Sequence, residues 1–143
     1  MQRPSVIPAL NRLLQTLLRS LPVYLEQTHP WTRPGEEEAC AALKAVAADQ
    51  RASAARVAEA IRQRRGRLDT GRFPTEFTDL HDLSVDFLVR RVLEYHQRDL
   101  QAIRRSLQEL EDDRELRALA EEILHQAMAH QQQLQALVKK SEE

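Results

Sequence analysis

Residues 113–139 read DRELRALAEEILHQAMAHQQQLQALVK, and their apolar positions recur in steps of three and four. This spacing places the side chains on one stripe of an α-helix, so the segment predicts a helix with one face in a core. Asp112 and Glu115 have the spacing of a capping box and predict the start of that helix. The stripe consists of Leu116, Leu119, Ile123, Ala127, His130, Leu134 and Leu137.

Three further segments carry the same periodicity, and clusters of proline and glycine separate them. The four predicted helices span residues 8–27, 36–65, 76–110 and 113–139. Pro22 predicts a kink near Arg19 and Ser20, or an early end of the first helix, because proline interrupts the backbone hydrogen bonds. The acidic residues 36–38 favour the start of the second helix, since they suit the positive end of its dipole.

The composition indicates an all-α chain. Of the 143 residues, 4% are aromatic and only three are glycine, which are too few strand and turn residues for most β architectures. A chain of this length forms one core, so we predict a single domain over residues 1–143, an antiparallel four-helix bundle. The linker between the second and third helices is long enough to run the length of a bundle. Up-down-up-down and up-down-down-up topologies therefore both fit.

Charge and cysteine content limit the classes of partner. The 21 basic and 22 acidic residues leave a net charge of -1, which gives no broad field to attract nucleic acid or an anionic membrane. No apolar run approaches the roughly 20 residues of a membrane span, and the first residues do not have the pattern of a signal peptide. Cys40 is the single cysteine and cannot form an intrachain disulfide. We expect a cytoplasmic protein that binds neither nucleic acid nor membrane.

Polar residues also stand in the middle of the second and third apolar stripes. Gln50 and Ser53 occupy stripe positions of the second helix, and His96 occupies one of the third. Residues three apart project side by side from a helix. The pairs Gln50/Ser53 and Ala127/His130 therefore have the spacing of the Glu-x-x-His pairs in dimetal-carboxylate bundles.

Four long helices with such pairs on the second and fourth resemble the ferritin-like superfamily, and residues 77–137 carry most of the likeness. The resemblance implies a glutamate on the first and third helices and a Glu-x-x-His on the second and fourth. Here Gln50, Ser53 and Ala127 replace three of those residues, and only His130 keeps the type that the superfamily has there. Two iron ions bring a charge of about +4, which this set leaves largely uncompensated. We therefore predict a degenerate dimetal site rather than a diiron oxidase.

One literal Glu-x-x-His is present, formed by Glu122 and His125. It lies about 200° round the helix from the core stripe, so we expect it to face solvent or a partner subunit.

Two interpretations of the mid-stripe histidines remain open at this point. A histidine on an apolar face is most often a core residue with one hydrogen bond, and Gln50 and Ser53 are the expected partners in a buried polar network. The alternative is a site for iron, manganese or zinc. Its candidate ligands are His96, His130, Glu94, Asp99 and Glu122.

The sequence supports three functional hypotheses. The first is a non-catalytic structural or protein-interaction module that forms a homodimer. Its interface would use surplus apolar residues, with Leu13, Leu18, Val92 and Leu124 as candidates. The second is a metal-binding or redox protein with a divergent site around His96 and His130. The third is a bundle that holds an apolar ligand beside its leucine-rich first helix.

Overall fold

The computed structural model describes residues 6–28, 34–80 and 84–141. Within these ranges the chain forms five α-helices and one short 3₁₀ helix, which confirms the all-α prediction. The α-helices are α1 (Val6–Leu18), α2 (Leu21–Thr28), α3 (Glu37–Gln63), α4 (Val85–Leu110) and α5 (Arg114–Ser141), and the 3₁₀ helix spans Thr75–Asp79.

The predicted first helix is divided into α1 and α2 at Arg19 and Ser20, where Pro22 predicts a break. Proline has no amide hydrogen to continue the ladder of α1, but its ring is tolerated in the first turn of a new helix. The hydroxyl of Ser20 accepts a hydrogen bond from the Val23 amide at 3.3 Å. Ser20 therefore caps α2, and both short helices pack against α3 and α4.

The helices α3 and α4 run parallel. At one end, the amide of Asp86 in α4 donates to the Glu36 carboxylate, just before α3, at 3.0 Å. At the other end, Arg64 beyond α3 pairs with Asp113 beyond α4 at 3.1 Å. Both helices therefore begin at one end of the bundle and finish at the other, which decides for the up-down-down-up arrangement.

The crossover between α3 and α4 lies along α1. Asn11 donates to the Arg67 carbonyl at 2.9 Å and accepts from the Asp69 amide at 2.8 Å. One turn later, Gln15 donates to the Asp69 carbonyl at 3.0 Å. These side chains satisfy backbone groups of a segment that has no ladder of its own.

The predicted start of the third helix at residue 76 is wrong. The chain forms a 3₁₀ turn there, and α4 begins at Val85 after its N-cap, Ser84. The turn directs Phe77 into a cluster of rings, with centroids 5.1 Å from Tyr95 and 5.6 Å from Tyr24. Burial of this aromatic ring, which is 2% exposed, stabilises the turn over a longer helix.

Two of the expected interface residues lie inside the chain's own core. Leu13 and Val92 are fully buried, so the prediction that they form an outward interface is wrong. Leu18 and Leu124 are partly buried and pack against the same core. Burial of these residues follows from the packing of α1 and α2 against both α3 and α4.

The N-cap of α5 is Asp113, not Asp112 as the capping-box spacing suggests. Its carboxylate accepts from the Leu116 amide at 3.1 Å and pairs with Arg64. Burial alone would raise the pKa of Asp113, but the amide hydrogen bond and the guanidinium together hold it below its ordinary value.

Removal of this cap is expected to destabilise the fold. We expect Asp113→Ala to lower the free energy of unfolding by about 1–2 kcal/mol, because the first turn of α5 loses its side-chain acceptor and Arg64 loses its partner. Urea denaturation measures the change. Asp112→Ala is the matched control, and an equal loss in the two variants would contradict the assignment of the cap.

Candidate functional site

Buried polar side chains form a belt across the middle of the bundle. The apolar core is divided into two clusters, one around α1 and the second half of α3, and one around α2 and the first half of α4. Near the boundary lie five side chains that are each 2–6% exposed. We call Ser20, Gln50, Ser53, His96 and His130 the polar belt.

One pair in the belt joins α3 to the break between α1 and α2. The Ser20 hydroxyl donates to the Gln50 side-chain oxygen at 2.5 Å. Ser20 is absent from the sequence-based candidates, although Pro22 signals the helix break that places it there. Ser20 lies in the break between the two helices, and its hydroxyl points into the core.

Two further pairs join α3 to α5. The Nε2–H of His130 donates to Asp49 at 2.9 Å, and Ser53 donates to the side-chain oxygen of Gln126 at 3.0 Å. The belt consists of separate hydrogen-bonded pairs, and the expected partners of the two histidines are wrong. Gln50 and Ser53 bond to Ser20 and Gln126, and neither bonds to an imidazole.

His96 joins α4 to α5 through the backbone. Its Nε2–H donates to the Ala127 carbonyl at 2.7 Å, and its ring centroid lies 6.2 Å from that of His130. A carbonyl only accepts, so this bond fixes the Nε2–H tautomer and leaves a lone pair on Nδ1 of the neutral ring. Burial lowers the pKa of His96, although the bond to Ala127 partly opposes that effect.

Three of the four residues predicted for a degenerate site lie around one small cavity. Gln50, Ala127 and His130 line a single small cavity together with His96. Ser53 is connected to the same place through Gln126, which also lines the cavity. The cavity has a volume of about 10 Å³, so it is far smaller than the roughly 300–1,000 Å³ of an ordinary ligand site.

Asp99 is the acidic residue beside this cavity. It lies one turn after His96 on α4 and lines the same space. Burial raises the pKa of Asp99 to about 7, and the nearby Arg98 opposes the shift only in part. The carboxyl group is therefore close to half protonated at neutral pH.

The other acidic candidates lie away from the belt. Glu94 is 62% exposed and pairs with Arg91, and Glu122 is 60% exposed and pairs with Arg56. His125 is exposed, as its position on the helix predicts. Across residues 6–28, 34–80 and 84–141, no group of three or more histidine, cysteine, aspartate or glutamate side chains is placed to hold a metal ion.

Comparisons of this chain with protein-family models, with curated proteins and with solved structures give no match. None of the helices in the described part of the chain is both long and apolar enough to cross a membrane.

The Ser20–Gln50 pair offers a test of coupling within the belt. We expect Gln50→Leu to lower the free energy of unfolding by about 1–3 kcal/mol, because the Ser20 hydroxyl is left buried without its acceptor. Ser20→Ala also removes the cap of α2, so we expect the double variant Ser20→Ala/Gln50→Leu to lose less stability than the sum of the losses in the two single variants. Urea denaturation of the single and double variants closes the cycle. Losses that simply add in the double variant would contradict the pairing.

Asp99 predicts a pH dependence of stability. Its folded pKa of about 7 lies above the unfolded value of about 3.9, so its contribution to stability is complete below about pH 3.9 and is lost as the pH rises through 7. Asp99→Asn removes that loss. We therefore expect the variant to gain stability relative to the natural protein between pH 5 and pH 8, measured by urea denaturation.

The control for this prediction is Glu94→Gln, which removes an exposed carboxylate from the same helix. His96 titrates in both proteins and so largely cancels from the comparison. An equal pH dependence in Asp99→Asn and the natural protein would show that the pKa of Asp99 is not raised.

Proposed function

We propose that this chain is a non-catalytic, ferritin-like helical bundle that serves as a structural or protein-interaction module, self-associates as a homodimer and resides in the cytoplasm. The pairing inside the polar belt carries this proposal. Ser20, Gln50, Ser53 and His130 are hydrogen-bonded to other side chains, and His96 is bonded to a backbone carbonyl. Groups that bind one another in a packed core hold helices in place.

The size of the central cavity supports a non-catalytic role. A volume of about 10 Å³ cannot admit an organic substrate between the helices. His96, Asp99 and His130 all line that space, which is too small for such a substrate to reach them through it.

Two features support the ferritin-like part of the proposal. The helices α3 and α4 run parallel, with the crossover along α1 joining them. Three positions of the predicted degenerate site, Gln50, Ala127 and His130, line one cavity. In the superfamily that the sequence resembles, the corresponding positions meet in the middle of the bundle.

The surface of α3 and α5 supports the interaction role. Grooves of about 420 Å³ and 300 Å³ lie along the seam between these helices. The larger groove is lined mainly by small and apolar side chains, including Ala41, Ala45, Ala136 and Leu137. Shallow apolar surface of this kind favours contact with another protein.

Sedimentation velocity over a concentration series tests the homodimer. We expect a monomer–dimer equilibrium that is unchanged by EDTA and by His130→Leu, because the proposed function requires no metal. His125→Leu is the matched control, since it removes an exposed histidine from the same helix. Monomer at every concentration would contradict self-association.

Elemental analysis of the same samples separates this function from the alternative. After anaerobic incubation with iron, manganese or zinc salts, about one or two bound ions per chain that are lost in His130→Ala would favour the metal-binding or redox function around His96 and His130. A co-purifying apolar molecule would favour the third hypothesis, a ligand held beside α1.

A further inference from the structure

The cavity in the polar belt is lined by side chains from four helices. Its walls come from α1, α3, α4 and α5, and its volume of about 10 Å³ is close to the space that one water molecule requires. The polar residues that line it are Thr16, Gln50, His96, Asp99, Gln126 and His130. Apolar side chains form the rest of the walls, so the cavity is of mixed polarity. A cavity of this size with several polar groups in its walls suits a water molecule, whereas a wholly apolar cavity remains dry.

His96 lines this cavity and carries a buried acceptor. Its side chain is 98% buried, and its Nδ1 atom has no hydrogen-bond partner among the described residues. Because Nε2–H donates to the Ala127 carbonyl, Nδ1 carries a lone pair and requires a donor. An acceptor that is left unpaired in a core destabilises the protein, so a small donor in the cavity is favoured.

Asp99 provides the second partner for such a donor. It lines the same cavity one turn along α4, and no hydrogen bond joins it to His96 or to another described residue. With a pKa of about 7, the carboxyl group is present in both forms at neutral pH, and either form hydrogen-bonds to water. A single water is the smallest molecule that satisfies both side chains.

The charged surroundings of the cavity do not supply a competing donor to Nδ1. Arg98 lies on the same helix, and its charge lowers the pKa of Asp99. His130 faces the cavity from α5, and its Nε2–H is already donated to Asp49 of α3. The described wall residues of α1 are Thr16 and Leu17, which carry no charge, and the Thr16 hydroxyl donates to the Arg12 carbonyl.

We propose that the cavity is a binding site for one buried water molecule, which donates to Nδ1 of His96 and bridges it to Asp99. This water completes the hydrogen bonding of the polar belt and connects two side chains of α4 that are one turn apart. The site does not depend on whether the bundle binds a protein partner.

A pair of variants at His96 separates the two ring nitrogens. The amide of His96→Gln reaches the position of Nε2 and retains a donor to Ala127, but it has no acceptor at the position of Nδ1. The oxygen of His96→Asn lies near the position of Nδ1, but the variant has no group that reaches Ala127. Magnetic relaxation dispersion of water ¹⁷O counts the long-lived internal waters in each protein.

We expect His96→Gln to contain one long-lived water fewer than the natural protein, and His96→Asn to retain it. Equal counts in His96→Gln and the natural protein would overturn the proposal, and so would loss of the water from both variants when both are folded. Asp99→Leu, which removes the second partner, is also expected to lose one water.

The natural protein alone provides an independent measurement if the variants do not fold. Imidazole ¹⁵N spectra are expected to show His96 as the Nε2–H tautomer, with a nuclear Overhauser effect between a long-lived water and the ring hydrogen next to Nδ1. Exposed His125 is the control and is expected to show no such water. A hydrogen on Nδ1 of neutral His96, or no contact with water, would overturn the proposal.

Discussion

A polar side chain that is buried in a helical bundle must find a hydrogen-bond partner, and this requirement fixes the bundle at its middle. Apolar side chains tolerate small shifts along a helix axis because dispersion forces are not directional. The Ser20–Gln50 and Ser53–Gln126 bonds, at 2.5 Å and 3.0 Å, do not tolerate such shifts. The belt therefore sets the heights of α3, α5 and the α1–α2 break relative to one another.

The two ends of the bundle carry further bonds that agree with the belt. The Glu36 carboxylate, which is 5% exposed, accepts from the first turn of α4. At the other end of the bundle, Arg64 and Asp113 join the C-terminal ends of α3 and α4. Both side chains are about three-quarters buried. Partly buried charge-assisted bonds are stronger than exposed ion pairs. Contacts at three levels thus specify one register for the two parallel helices.

The same belt holds the rings of His96 and His130 in hydrogen bonds. His130 lies in the core, but its ring is engaged by Asp49, and the His96 ring is engaged by a backbone carbonyl. The exposed glutamates 94 and 122 pair with arginines on the surface. Placement by helical period decides which side chains meet, and it separates these glutamates from the histidines.

The sequence by itself determined the helical class, the break near Pro22 and the inward position of Gln50 and Ser53 in α3. These features depend on local backbone chemistry and on the 3.6-residue period, which are properties of short segments. The sequence also indicated that Gln50, Ala127 and His130 lie at mid-stripe positions of their helices, and these residues line one cavity. The polar partners were not predictable, because they lie far apart in the sequence. Ser20 and its partner Gln50 are 30 residues apart, and Asp49 and its partner His130 are 81 residues apart.

Only the tertiary structure decided the parallel course of α3 and α4, the 3₁₀ turn at Thr75–Asp79 and the burial of Leu13 and Val92. Each depends on long-range packing that periodicity does not encode. Phe77 leaves the helical pattern because the rings of Tyr24 and Tyr95, from distant segments, meet it together with that of nearby Phe73. Leu13 is buried because α3 and α4 cover it. Local propensity favours a helix, but the burial of side chains against distant partners determines where each helix begins and which faces are covered.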